Sequence, residues 1–144
     1  MELHTRPDGV MVVNDAYNAN PESMRAALDT LAKLGSGRPD GQTWAVLGDM
    51  LELGELAAVE HEALGRYLAE CGIDRLVAIG RQASIVVSAA RTFGLADATV
   101  AADKTEATAI VLSGLGPADV VLVKASRGLA LDTVAEQILH QDRA

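Results

Sequence analysis

Three short polar segments carry the side chains that could bind a ligand. They are Asn14–Pro21, Gly48–Gly54 and Lys124–Gly128. Each segment follows a run of apolar residues that is typical of a buried strand. Because ligands bind beyond the carboxyl ends of the strands in an open parallel sheet, the three segments are predicted to form a site at one sheet edge.

The first segment presents short carboxylate and amide side chains just before a helix. Asp15 has the chemistry to hold a ribose hydroxyl, and Asn18 and Asn20 can hold the polar ends of a substrate. The alternative is that Asn20 only caps the helix and that Asp15 and Asn18 only form turns with their own backbone. Spacing alone leaves both interpretations open.

In the second segment, two glycines bracket the acidic residues Asp49 and Glu52. This pattern suits a loop that turns sharply near a ligand, and the alternative is a solvated turn, which we favour for Glu52. His61 lies on the helix that follows. We predict that it contacts the Gly48–Gly54 loop and does not act as a general base.

The third segment places Lys124, Ser126 and Arg127 at the end of the last predicted strand. Arginine can bind a carboxylate or phosphate through two parallel hydrogen bonds, and the N-terminus of a following helix would point N–H donors the same way. The grouping favours an anion-binding role over a random surface charge.

Alternating apolar and amphipathic runs predict the elements that position these segments. The fold class is α/β: a doubly wound, mostly parallel sheet of about six strands, with an N-terminal β-hairpin and helices on both faces, similar to a Rossmann fold. The predicted strands are Glu2–Thr5, Val10–Asn14, Thr43–Leu47, Arg75–Ile79, Ala98–Ala101 and Val120–Val123. The predicted helices are Pro21–Leu34, with Asn20 as its N-cap, and Leu56–Cys71, Gln82–Phe93, Lys104–Leu115 and Leu129–His140.

Composition narrows the class of protein further. The chain has 144 residues, so we expect residues 1–144 to form a single domain. A net charge of −8 and only 3% aromatic residues disfavour nucleic-acid binding. The single cysteine, the absence of an apolar run of about 18–20 residues and the absence of a signal-like N-terminus predict a cytoplasmic protein without membrane insertion.

Several catalytic signatures are missing from the sequence. There is no G-x-x-x-x-G-K-[ST] phosphate-binding loop, no G-x-G-x-x-G dinucleotide fingerprint and no H-E-x-x-H metal motif, and Ser126 has no G-x-S-x-G context. We therefore predict no catalytic residue and no metal ligand within this chain.

Read together, the polar segments resemble the C-terminal domain of the Mur ligases. The resemblance is carried by residues 15–21 (DAYNANP), 46–54 (VLGDMLELG) with His61, Glu62 and Gly65, and 122–128 (LVKASRG), and it covers nearly the whole chain. The Tyr-Asn-Ala-Asn-Pro form is typical of the family member that adds D-alanyl-D-alanine. One departure is Ala125, where the family has glycine.

The resemblance implies a three-domain cytoplasmic enzyme of peptidoglycan synthesis. In the family, ATP phosphorylates the terminal carboxylate of UDP-N-acetylmuramoyl-tripeptide, and the amine of D-alanyl-D-alanine attacks the acyl phosphate. ATP and Mg²⁺ would be bound mainly by a central domain, which like the N-terminal domain lies outside this chain. The chain would act as a lid on its own central domain, and alone it is expected to be inactive and to bind no cofactor.

The family pattern assigns roles to residues of the first segment. Asp15 matches the family aspartate that contacts the ATP ribose. Asn18 and Asn20 would line the cleft where the dipeptide meets the end of the tripeptide.

Charge and position suggest the remaining substrate contacts. Lys124, Ser126 and Arg127 are assigned to the dipeptide carboxylate, and Asp49 to the attacking ammonium group.

Three alternatives remain at this point. Acids after early strands (Asp15, Asp49) and a lysine after the last (Lys124) also suit a phosphoacceptor receiver domain. The opening hairpin, the lack of Ser or Thr directly after the Arg75–Ile79 strand and the lack of proline after Lys124 oppose it. The second alternative is a sister Mur ligase or folylpolyglutamate synthetase, and the sequence of Tyr17–Pro21 argues against both. The third alternative is a stand-alone interaction domain.

Overall fold

In the computed structural model, which describes residues 1–141, a six-stranded sheet separates two layers of helices. The strands are β1 (Glu2–Thr5), β2 (Met11–Asp15), β3 (Thr43–Leu47), β4 (Arg75–Ile79), β5 (Ala98–Ala101) and β6 (Val120–Lys124). The helices are α1 (Pro21–Ser36), α2 (Ala57–Glu70), α3 (Ala83–Thr92), α4 (Lys104–Gly114) and α5 (Asp132–His140), with short 3-10 turns at Gly54–Leu56 and Arg127–Leu129. The predicted fold class is confirmed.

The largest difference from the predicted boundaries is at the last helix. It begins at Asp132 and not at Leu129, because Ala130 adopts a left-handed backbone with φ 53° that separates the 3-10 turn from α5. The expectation that a long helix directly follows the Lys124–Gly128 segment is therefore wrong. Only the 3-10 turn begins there.

The strand order β1-β2-β6-β3-β4-β5 decides where the polar segments meet. β1 pairs with β2 in the antiparallel sense, as the predicted hairpin requires, and all other neighbours are parallel. Since β6 lies between β2 and β3, the carboxyl ends of these strands are adjacent. The predicted convergence of the three segments at one sheet edge is confirmed.

Each face of the sheet is covered by its own helices. α1, α2 and α3 pack on one face, and α4 and α5 on the other. Side chains of β6 alternate between the two cores, with Leu122 in the first and Val121 in the second. This explains why the central strands read as continuous apolar runs.

The start of α1 follows from local sequence. The Asn20 side chain accepts a hydrogen bond from the Ser23 backbone N–H at 2.8 Å, Ser23 returns a bond to the Asn20 backbone, and Pro21 occupies the first turn. The predicted capping role of Asn20 is confirmed. Among residues 1–141 no helix has the length and apolar character needed to span a bilayer.

Candidate functional site

A polar cleft of about 400 Å³ lies at the carboxyl ends of β2, β3 and β6. Every one of the three polar segments contributes to it. The lining residues are Asn18, Ala19, Asn20, Leu51, Glu52, Leu53, Ser126, Arg127 and Gly128. Of the residues assigned from sequence to ligand binding, the structure thus brings Asn18, Asn20, Ser126 and Arg127 together.

Lys124 does not line the cleft, although it ends β6 directly beneath the site. Its side chain is 2% exposed, and its Nζ donates to Asp15 Oδ2 at 2.7 Å and to the Asn18 backbone carbonyl at 2.8 Å. Asp15 is its register partner on β2. Two of the three ammonium N–H groups are used inside the domain, so the side chain fixes the first segment against β6.

Asp15 keeps part of its surface in contact with solvent. Its side chain is 17% exposed; Oδ2 binds Lys124, and Oδ1 lies 3.7 Å from the Met1 amine nitrogen. A carboxylate with remaining acceptor capacity and partial exposure fits the ribose contact predicted from the family pattern. That assignment stays a prediction.

Asp49 is directed at backbone and not at the cleft. Its residue is 6% exposed; Oδ2 accepts from the Arg81 N–H at 2.9 Å and Oδ1 from the Gln82 N–H at 3.0 Å. A Cβ placed on Gly80 would lie 2.5 Å from Asp49 Oδ2, which shows how closely the carboxylate packs. Asp49 therefore joins the second segment to the residues that precede α3.

Two side chains hold successive N–H groups of the second segment. His61 Nε2 accepts from the Met50 N–H at 3.0 Å, and Ser126 Oγ accepts from the Leu51 N–H at 2.8 Å. His61 Nδ1 lies 2.7 Å from the Ala57 carbonyl, so the neutral ring carries its proton on Nδ1. The predicted contact of His61 with the loop is confirmed.

Ala125, the departure from the family pattern, does not enter the cleft. It is fully buried in the core between the sheet and the α4–α5 layer. A Cβ on Gly48 would lie 2.7 Å from the Ala125 Cβ. The extra methyl group at position 125 is therefore accommodated against a glycine and leaves the ligand-facing surface unchanged.

Glu52 and Arg127 are the charged residues of the cleft lining. Both are exposed, and within residues 1–141 neither side chain makes a hydrogen bond or ion pair. Glu52 has a left-handed backbone with φ 64°, which is uncommon for a residue other than glycine. The sequence pattern favours a solvated turn here, and no spacing of residues marks Glu52 as part of a cleft lining.

Arg127 also borders a second, smaller pocket. This pocket has a volume of about 250 Å³ and is lined in addition by Ala16, Tyr17, Ala130 and Asp132. The guanidinium therefore lies between two polar recesses at the same sheet edge. Across the described residues no group of three or more His, Cys, Asp or Glu side chains is placed to hold a metal ion.

Comparison with known proteins agrees with this architecture. A family model described as "Mur ligase, glutamate ligase domain" matches residues 1–127. The chain belongs to the Mur ligase family. This confirms the resemblance inferred from the three segments and excludes the receiver-domain interpretation.

Within the Mur ligase family, similar relatives share one name. The chain is 42% identical over 99% of its length to the UDP-N-acetylmuramoyl-tripeptide--D-alanyl-D-alanine ligase of Mycobacterium bovis, of which it covers 31%. It is therefore similar to about a third of that relative's length.

Solved structures of the Mur ligase family have the same fold. The chain matches MurF from Acinetobacter baumannii with a TM-score of 0.83 and 28% identity, covering 97% of this chain and 30% of that one. It matches MurF ligase from Thermotoga maritima in complex with ADP with a TM-score of 0.74 and 28% identity, covering 95% of this chain and 29% of that one.

Proposed function

We propose that this chain is the C-terminal domain of an ATP-dependent ligase that joins D-alanyl-D-alanine to UDP-N-acetylmuramoyl-tripeptide in peptidoglycan synthesis. The main support is the polar cleft at the carboxyl ends of β2, β6 and β3. The chain is also 42% identical, over 99% of its length, to a relative named as the ligase for these two substrates. Because the chain lacks a phosphate-binding loop, the phosphates of ATP and the Mg²⁺ ion are assigned to the rest of the cytoplasmic enzyme.

The proposed reaction forms an amide through an activated carboxylate. Phosphoryl transfer from ATP makes an acyl phosphate on the tripeptide and releases ADP. The dipeptide ammonium group then loses one proton, its neutral nitrogen attacks the acyl carbon, and phosphate leaves with the second proton. Water would hydrolyse the same intermediate. The chain acts as a lid that closes on the central domain, brings the dipeptide to the acyl carbon and excludes water.

The cleft supplies groups for the dipeptide carboxylate. Arg127 is exposed and unpaired among the described residues, so its guanidinium is available for two parallel bonds to a carboxylate. Ser126 Oγ accepts from Leu51 and retains a hydroxyl proton to donate. Asn18 and Asn20, from the loop after β2, line the same cleft and are assigned to the end of the tripeptide.

Residues behind the cleft act on its shape or on the nucleotide. Asp15 is assigned to the ATP ribose near the junction with the central domain. Lys124 contributes mainly by fixing Asp15 and the Asn18 carbonyl, and its remaining N–H is the one group it can offer to the substrate carboxylate.

The test uses the complete ligase and measures phosphate release. Turnover is expected only when ATP, UDP-N-acetylmuramoyl-tripeptide and D-alanyl-D-alanine are all present, and the isolated chain should hydrolyse no ATP. Equal turnover with D-glutamate or L-lysine in place of the dipeptide would refute the proposal in favour of a sister ligase. ATP hydrolysis by the isolated chain would refute the lid assignment.

Two substitutions test the residue roles. Arg127→Ala should raise the KM for D-alanyl-D-alanine by about 10- to 100-fold, since a charge-assisted bond is lost, and leave the KM for ATP unchanged. Asp15→Ala should instead raise the KM for ATP. Arg25→Ala, which removes an exposed arginine on α1 away from the cleft, is the matched control and should change neither.

A further inference from the structure

The charge pattern of the cleft suits a ligand with both signs of charge. Its lining contains one acid, Glu52, and one base, Arg127, which come from the loops after β3 and β6. The two loops touch, since a Cβ on Gly128 would lie 3.6 Å from Leu51 Cδ1. Glu52 and Arg127 nevertheless form no ion pair with each other in the part of the chain that the structure describes. Each charge is therefore available to a ligand.

Asp49, the other acid of this loop, is poorly placed to meet a ligand ammonium group. Both of its oxygens accept backbone N–H groups, and the residue is 6% exposed. Glu52 lies three positions further along and is exposed, and its carboxylate has no hydrogen-bond or ion-pair partner among residues 1–141. The structure thus separates the roles of the two acids that the sequence places together.

The loop holds Glu52 at the cleft in a defined conformation. The preceding residue, Leu51, is fixed by the Ser126 hydroxyl at 2.8 Å, and Glu52 itself has φ 64°. Left-handed backbone at a residue other than glycine persists where its surroundings impose it, and such positions cluster at ligand sites. The strained backbone is secondary support for a ligand-binding role of Glu52. The main evidence is that Glu52 and Arg127 bring opposite charges to one cleft.

We propose that Glu52 binds the ammonium group of the amine substrate while Arg127 binds its carboxylate, so that the cleft recognises a zwitterion at both ends. The inference rests on the proposed ligase function and replaces Asp49 with Glu52 as the ammonium partner. An extended dipeptide places its two terminal charges at most about 7 Å apart. The assignment therefore requires Glu52 and Arg127 to face the same cleft, and both residues line it.

Kinetics of the complete ligase test the inference. Glu52→Gln removes the charge with little change in shape, and it should raise the KM for D-alanyl-D-alanine about ten-fold or more while leaving the KM for ATP unchanged. Glu55→Gln is the matched control, because Glu55 is exposed in the 3-10 turn that follows this loop but does not line the cleft. It should behave as wild type.

Hydroxylamine separates dipeptide binding from formation of the acyl phosphate. It is a small nucleophile without a carboxylate: its nitrogen attacks the acyl carbon, phosphate leaves and a hydroxamate forms. Glu52→Gln should form hydroxamate from ATP and the UDP-tripeptide at the wild-type rate. An equal loss of hydroxamate and dipeptide turnover would show that Glu52 only supports the loop, which overturns the inference.

The remaining outcomes are distinguishable. If the wild-type enzyme forms neither dipeptide product nor hydroxamate, the proposed function fails. If the wild-type enzyme is active and Glu52→Gln leaves the dipeptide KM unchanged, only the inference fails. Glu52→Gly guards against misfolding, because glycine adopts positive φ without strain. It too should raise the dipeptide KM, and a wild-type KM would overturn the inference.

Discussion

Replacing Lys124 with methionine is expected to lower the free energy of unfolding by about 3 kcal/mol. The substitution keeps most of the side-chain volume but removes the ammonium group that bonds to Asp15 and to the Asn18 carbonyl. The first polar segment then loses its link to β6. Asp15 is left with a carboxylate that has no partner on that side.

The magnitude follows from the burial of the pair. Breaking a buried ion pair by removing one partner costs about 3–5 kcal/mol, because the other charge remains desolvated. Lys124 is 2% exposed and Asp15 is 17% exposed, so water partly compensates the stranded carboxylate. The loss should lie at the lower end of that range. Asp15→Asn leaves the more deeply buried Lys124 ammonium group without its carboxylate partner, so it should lower the free energy of unfolding by at least as much.

The assay is urea unfolding followed by tryptophan fluorescence. Trp44 is the single tryptophan of the chain and is 1% exposed. Its Nε1 donates to Asp119 Oδ2 at 2.9 Å, and its register partner on β6 is Val121, so it reports unfolding of the central sheet. With a urea m-value of about 2 kcal/mol/M, a loss of 3 kcal/mol lowers the midpoint by about 1.5 M.

The double variant Asp15→Asn with Lys124→Met decides the cause. It contains no stranded charge, and replacing both members of a buried pair is often close to neutral, so its stability should return to within about 1 kcal/mol of wild type. A wild-type midpoint for Lys124→Met alone would refute the coupling. If the double variant is no more stable than Lys124→Met, the loss comes from packing and the electrostatic reasoning is wrong.

Two further predictions concern hydrogen bonds at the α2 helix. Asp29 accepts a hydrogen bond from the Tyr67 hydroxyl, which raises the pKa of Tyr67 from 10.0 to about 12, so Asp29→Ala should return the alkaline absorbance titration of Tyr67 toward 10. Because the folded pKa lies above the unfolded one, the stabilisation by this bond should be present below pH 10 and disappear as the pH rises through about 12. His61→Phe removes the acceptor of the Met50 N–H. It should lower the free energy of unfolding in urea by about 1–3 kcal/mol and accelerate hydrogen exchange at Met50. Unchanged exchange at Met50 would contradict this.

Local sequence signals predicted the elements well because they depend on neighbouring residues. The start of α1 follows from Asn20 and Pro21, and β3 and β4 end where their apolar runs end, directly before Gly48 and Gly80. The last helix was less well predicted. Nothing in its sequence marks Ala130 as a left-handed residue that interrupts the run.

The site was predicted in outline because the sheet-edge rule needs only the strand sequence. The partners of each side chain could not be predicted, since they lie far away along the chain. Lys124 and Asp15 are 109 positions apart and meet only because β6 inserts between β2 and β3. The bonds of Asp49 depend in the same way on Arg81 and Gln82, more than 30 positions further on.

The buried polar contacts around the cleft bear on how it would bind. The N–H groups of Met50 and Leu51 and the Asn18 carbonyl are all satisfied by side chains of the same domain. The loops that line the cleft are therefore held in place before a ligand binds, and binding costs little conformational entropy for these loops. In the proposed ligase, affinity for the dipeptide then depends mainly on Glu52 and Arg127, whose exposed charges have no partner in the part of the chain that the structure describes. Substitutions at those two positions should accordingly change substrate affinity more than stability, whereas substitution of Lys124 should change stability first.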